Sequence, residues 1–360
     1  MRRISFFFFF LLCCLPSVNA AIEASASVSS SQGGAGISYD NPDTLFVARD
    51  GTGQFRNISE AIEVCRAFME YHKVIFVKRG IYKEKLIIPS WLTNIEICGE
   101  DAENTIITYD DHANITMGDG SWAMGDGQQL TPALQRQKMG TFRTYTLKVE
   151  GSDITLKNIT VENNAARLGQ AVALHTEGDR LRFVGCRFLG HQDTVYTGVG
   201  GTRLYFEDCY IEGTTDFIFG PSTAWFENCE IHSKADSYIT AASTPADVAY
   251  GYVFNHCRLT ADEGVSRVYL GRPWRPYAYT LFMNCTMGSH IVPAGWDNWK
   301  NAENEKTARY LEYNNTGEGA RTAERVAWSR QLSKKEAAGI TLQHVIFRVS
   351  PLTSHHSPLK

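Results

Sequence analysis

Two acidic residues stand at matching places in this chain. Asp193 lies seven residues after Cys186, and Asp216 lies seven residues after Cys209. Asp216 sits in "GTTDFIFGPS", directly against the apolar run Phe217-Ile218-Phe219. Burying a charge there is costly unless a partner holds it. Two carboxyls brought close together do not both ionise comfortably. One pKa rises while the other stays low, which separates a proton donor from an anion. Gln192 precedes Asp193, and its amide is a neutral donor suited to a developing oxyanion. Gln170, in "GQAVAL", reaches the same region from the preceding coil if a short extra loop intervenes. "LGRPW" at 270–274 adds Arg272, able to hold a carboxylate by a bidentate bond, and Trp274, a flat apolar face for a sugar ring.

Taken singly, each residue has a plainer reading. A lone Asp in a solenoid turn is more often a turn residue than a catalyst. Asp236 also falls seven residues after a cysteine, Cys229, and would join the same column. Glutamines stack in ladders for structural reasons, and Trp274 between prolines serves as a loop anchor. The set together favours catalysis.

The elements that position these residues follow from a repeat. "FVGCRFLG", "FEDCYIEG", "FENCEIHS", "FNHCRLTA" and "FMNCTMGS" each carry Phe three residues before a cysteine and an apolar residue two after it. Their cysteines are 186, 209, 229, 257 and 285. Each piece alternates like a strand and is bounded by turn formers. One strand motif per 20–28 residues predicts a solenoid, here a parallel β-helix whose successive strands stack about 4.8 Å apart. The cysteines then form an inward ladder of buried thiols, and the sequence leaves open whether Cys209 and Cys229, on neighbouring coils of an exported protein, pair as a disulfide. The segment 59–72, "SEAIEVCRAFMEYH", predicts one helix with Ser59 as N-cap, capping the N-terminal end of the solenoid. The region from Trp296 loses the repeat and is expected to pack along the side or close the other end.

The chain has 360 residues, 43% of them hydrophobic, and a formal net charge of −4. This balance argues against nucleic-acid binding. Arg2 and Arg3, the apolar "FFFFFLLCCL" and the small residues before position 21 form a leader over 1–20. The apolar run is too short for a membrane span. The protein is therefore expected to be secreted, extracellular or periplasmic, without a membrane span. Residues 21–43 read as a flexible segment rich in Ser, Ala and Gly, 44–347 as the catalytic domain and 348–360 as a tail. Of nine cysteines, Cys13 and Cys14 fall in the leader, leaving an odd number. Sequons occur at Asn57, Asn114, Asn158, Asn284 and Asn314.

"GIYKE" (80–84), "GQAVAL" (169–174), "QDTVY" (192–196), "DFIFG" (216–220) and "LGRPW" (270–274) occur in the order seen in the pectin methylesterase, or pectinesterase, family. "PAGW" (293–296) and "EYNNTGEGA" (312–320) resemble its C-terminal motifs, so the resemblance spans roughly 44–347. It implies an all-β, right-handed parallel β-helix that hydrolyses methyl esters of galacturonate in pectin (homogalacturonan) with no metal or cofactor, as a monomer. By this resemblance Asp216 is the nucleophile and Asp193 the general acid, then base. Gln192 and Gln170 stabilise the oxyanion, with Gln170 also touching substrate. Arg272 orients Asp216 and, with Trp274, binds the galacturonate chain. Thr141 and Phe142 match a substrate-contacting pair. The sequence departs from the family at 117–138, which reads as a flexible loop beside the cleft rather than a calcium site, and at His191, where plant members carry an aromatic residue. No counterpart of the inhibitor-like helical region of many plant members is present.

Other chemistries fit less well. The sequence lacks a G-x-S-x-G elbow and a helical zinc-binding histidine pair. A lyase or glycosidase on the same fold, or a non-catalytic pectin-binding protein, remains the alternative. The motifs do not fit the calcium-binding acids or glycosidic carboxylates expected of the first, and the intact Gln-Asp-Asp-Arg-Trp set argues against the second.

Overall fold

The computed structural model describes residues 44–117 and 132–347. The leader, the segment 21–43, most of the 117–138 loop and the tail lie outside the described residues. The rest winds into a right-handed parallel β-helix. Its three walls are sheets of eleven, seven and eight strands, in which every strand follows its neighbour from one coil to the next. No helix of the described residues is long and apolar enough to cross a membrane.

The repeat explains the core. In the eleven-stranded wall, Phe183, Phe206, Phe226, Phe254 and Phe282 stand in register. Their rings stack at 4.5, 4.6, 4.4 and 4.4 Å, fully buried. Burying each ring contributes about 1.5–3 kcal/mol. Past each Phe the chain turns a corner into the next wall at one residue of positive φ: Gly185, Asp208, Asn228, His256 and Asn284, with φ between 53° and 60°. Gly, Asn and Asp bear this left-handed conformation at the least cost.

The cysteine follows the corner. Cys186, Cys209, Cys229, Cys257 and Cys285 are buried and are free thiols. The disulfide between Cys209 and Cys229 is not formed. Stacked residues point the same way, and the Sγ of Cys209, Cys229, Cys257 and Cys285 donates instead to the phenylalanine carbonyl of the preceding coil, while Cys186 donates to Val184 O. Cys209 bonds Phe183 at 3.5 Å, and Cys229 bonds Phe206 at 3.7 Å.

The expected helix over 59–72 is shorter, Ile58–Glu63, and its N-cap position is Asn57 rather than Ser59. Its first amides are met from another coil, where the Glu84 carboxylate accepts from Ile58 N and Ser59 N, each at 3.0 Å. A helix running on to 72 is ruled out at Phe68, where the backbone turns left-handed, and Met69 beyond it is buried. Phe68 takes φ 54°, and its N–H donates to Trp91 O. Ile58, Ala61 and Ile62 join the core at the N-terminal end.

The C-terminal region both closes the end and packs on the side. The strand Arg309–Tyr313 extends the large wall, and Glu312 takes the place of the next phenylalanine. Glu312 is fully buried and pairs with Arg325 at 2.8 Å. Leu332, Ala337, Val345 and Ile346 cover the outer face around Tyr205, Trp225 and Val253.

Candidate active site

The seven-stranded wall carries the site. Its strands Leu174–Thr176, Val195–Thr197, Ile218–Gly220, Tyr238–Ala242 and Tyr269–Gly271 lie side by side. Val195 pairs with Ile218, which sets Asp193 and Asp216 at one position on adjacent coils. Both stand just before their strands with positive φ, 67° and 50°. Their amides are used by the next coil, Asp193 N donating to Thr215 O and Asp216 N to Tyr238 O. Both side chains line one cleft of about 290 Å³, together with Thr141, Phe142, Gln170, Gln192, Arg272 and Trp274.

Asp236 does not join them. Ile218 pairs with Thr240, so the residue opposite Asp216 is Tyr238. Two extra residues in the preceding turn shift the register past the count from Cys229. Asp236 is exposed, and its Oδ1 accepts from the amides of Ser266 and Arg267 at 2.8 and 2.9 Å. It is the turn residue that the plainer reading describes.

The two aspartates differ in their partners. Asp193 is 8% exposed and Asp216 5%. Burial pushes the Asp193 carboxyl well above the usual carboxylate range, the charge of Asp216 adds to this, and Arg272 opposes it only at longer range. Burial also raises Asp216, but there the hydrogen bonds and charge of Arg272 pull back toward the ionised form. Arg272 Nε donates to Asp216 Oδ1 at 3.0 Å and Nη2 to Oδ2 at 2.7 Å. No side chain among the described residues bonds Asp193. The pair is therefore biased toward one ionised and one protonated carboxyl.

The remaining groups surround the acids. Gln170 lies on the preceding coil, one residue out of strict register with Gln192, because Ala171 N donates to Gln192 O. Neither glutamine amide is engaged by another described side chain, which leaves both free to donate. Phe142, 46% exposed, comes from the short turn Thr141–Arg143 and rests on Tyr196 at 4.8 Å. Trp274 packs on Phe219 at 5.9 Å and presents its other surface to the cleft. His191 is half-buried, and burial lowers its pKa.

The sequence reading missed Phe219, Ala241, Tyr238 and Trp299. Phe219 and Ala241 form the floor with Val172. Trp299 enters from the non-repeating region with φ 59°, its N–H held by Asp297 Oδ1 at 2.7 Å. The two tryptophans in "WDNW" were a signal of a second aromatic wall, but nothing local tied them to the column of acids. Among the described residues no group of His, Cys, Asp and Glu is arranged to hold a metal ion. A buried anion beside a protonated acid, with free amide donors and flat aromatic walls, is suited to nucleophilic attack on a carbonyl carried by a sugar chain.

The Pectinesterase family model matches residues 44–121 and 111–348. Pectinesterase 31 of Arabidopsis thaliana is 39% identical over 294 residues, which are 81% of this chain and 88% of that protein. A pectinesterase/pectinesterase inhibitor of Brassica campestris is 34% identical over 313 residues, and there the match spans about half of the relative's length, 51%. Among solved structures, pectin methylesterase from carrot has a TM-score of 0.75 at 30% identity and covers 92% of this chain and 99% of its own. A pectin methylesterase in complex with a hexasaccharide has a TM-score of 0.71 at 28% identity and covers 85% and 98%.

Proposed function

Because this chain belongs to the pectinesterase family, we infer that its cleft hydrolyses the methyl esters of galacturonate units in pectin, releasing methanol and pectate, through an aspartyl acyl-enzyme. The observation that carries the mechanism is the asymmetry of the two acids. Asp216 is clamped by Arg272, and Asp193, one coil away, is not.

The ionised Asp216 carboxylate attacks the ester carbonyl carbon. The negative charge that develops on the carbonyl oxygen faces the amides of Gln192 and Gln170. Removing one such donor lowers kcat by about 10²–10³. Protonated Asp193 gives its proton to the departing methoxide, so methanol leaves and a mixed anhydride joins Asp216 to the substrate. Asp193, now a carboxylate, takes a proton from water as the water attacks the substrate carbonyl. Asp216 leaves as a carboxylate, and Asp193 is again protonated. Arg272 keeps Asp216 aimed throughout, and Trp274, Phe142, Thr141 and Gln170 hold the sugar chain. No metal or cofactor takes part in these steps. The leader over 1–20 supports export, and we assign residues 44–347 as the catalytic domain of a secreted monomer acting on wall pectin.

The test is methanol release from highly methylated pectin by the wild type, Asp216→Asn and Asp193→Asn, with rapid quenching, digestion and peptide-mass analysis. Each variant should lose at least about 10² in rate while keeping its fold, and the quenched wild type should carry an acyl adduct on the peptide holding Asp216. Near-normal release by either variant removes that residue from the mechanism. A wild type that binds pectin without releasing methanol returns the protein to the non-catalytic alternative.

A further inference from the structure

Arg272 and Asp216 are two coils apart. Asp216, Tyr238 and Tyr269 occupy one position on successive coils, and Phe219, Ala241 and Arg272 occupy the position three residues on. To reach Asp216, Arg272 must cross the coil that carries Tyr238 and Ala241. Ala241 is small and leaves the path open. Tyr238 fills the rung between, and the Arg272 guanidinium carbon lies 3.9 Å from the centre of its ring. The Trp299 ring lies 3.8 Å from the same carbon. Two rings this near one planar group lie on its opposite faces. Tyr238 is itself braced by Tyr269, stacked at 5.3 Å.

We propose that Tyr238 is a positioning residue: its ring, with Trp299 on the far face, holds the Arg272 guanidinium in the plane from which it clamps Asp216. The rationale is cation–π attraction strengthened by partial burial, applied to a long side chain that would otherwise sample many rotamers. The proposal rests on Asp216 as the nucleophile of the reaction above. Its electrostatic part concerns every charged or titratable group facing Asp216. These are Asp193 from the preceding coil, Arg272 and Tyr238 from the following ones, and Asp297 and Tyr310 from the C-terminal region.

The experiment compares wild type with Tyr238→Leu, Tyr238→Met and Tyr238→Phe. It reads kcat and KM for methanol release across pH, and titrates the Asp216 carboxyl by ¹³C NMR, assigned with Asp216→Asn. Without the ring, Arg272 loosens and Asp216 is harder to ionise. Tyr238→Leu should then lower kcat about 10-fold with KM within about twofold. Its acid limb and the Asp216 titration should move up by about half a pH unit. Tyr238→Phe keeps the π face and should behave as wild type. Tyr238→Met fills the rung without a π face and replaces the leucine variant if that one melts early. An unmoved Asp216 titration in the leucine or methionine variant overturns the proposal, as does an equal loss in Tyr238→Phe. A wild type without methanol release would sink the enzymatic reading, while the NMR titration still decides the role of Tyr238.

Discussion

Asp193 and Asp216 occupy equivalent positions on adjacent coils, both in the left-handed region, yet only Asp216 has an arginine within bonding distance. The backbone makes the two residues nearly identical. What differs is the reach of one side chain, Arg272, from two coils further along. That single contact biases a symmetric pair of acids toward one ionised and one protonated carboxyl.

The asymmetry predicts a pH signature. The proposed mechanism needs Asp216 ionised and Asp193 protonated, so kcat should follow a bell with Asp216 on its acid limb and Asp193 on its alkaline limb. Stability follows from the same shift. A carboxyl raised in the folded state stabilises that state only while protonated. Its contribution is complete below the unfolded value of about 3.9 and is lost as pH rises through the folded value of Asp193. Asp193→Asn is neutral at every pH. Its melting temperature should equal that of wild type near pH 3.5 and exceed it by about 2–4 °C at pH 8, although activity is gone. A variant less stable than wild type at pH 8 contradicts the assigned burial cost.

Asp236 predicts the opposite behaviour. It shares its distance from a cysteine with the two catalytic candidates, but its carboxylate caps the amides of Ser266 and Arg267. Asp236→Ala should leave kcat and KM unchanged and lower stability by at most about 1 kcal/mol, since the group is exposed. A hundredfold loss of methanol release would place it in the cleft.

The thiol ladder makes a third case. Cys186, Cys209, Cys229, Cys257 and Cys285 are buried thiols, so a reducing agent should not change the melting temperature. Alkylating reagents should reach these five only after unfolding. A fall in melting temperature on reduction would reveal a bridge between neighbouring coils.

Much of this protein was legible in its residues alone. The recurrence of Phe and Cys at fixed offsets determined a stacked solenoid, because a repeat that cannot bury its own apolar face is completed only by the next copy. Equal offsets from Cys186 and Cys209 determined that Asp193 and Asp216 share a column. The ordered motifs placed Gln170, Gln192, Arg272 and Trp274 near them. Tertiary structure decided the rest. Asp236 left the column because register is set by the hydrogen bonds of the paired strands, and two residues in a turn shift it without any local mark. The helix did not run to 72 because Phe68 turns left-handed, its N–H bonded to Trp91 O of another segment, a contact that no local pattern records. Cys209 and Cys229 remained thiols because stacking aims their sulfurs in parallel. Tyr238 and Trp299 met Arg272 because three distant segments converge on one guanidinium, and a linear pattern carries no record of which side chains meet across coils.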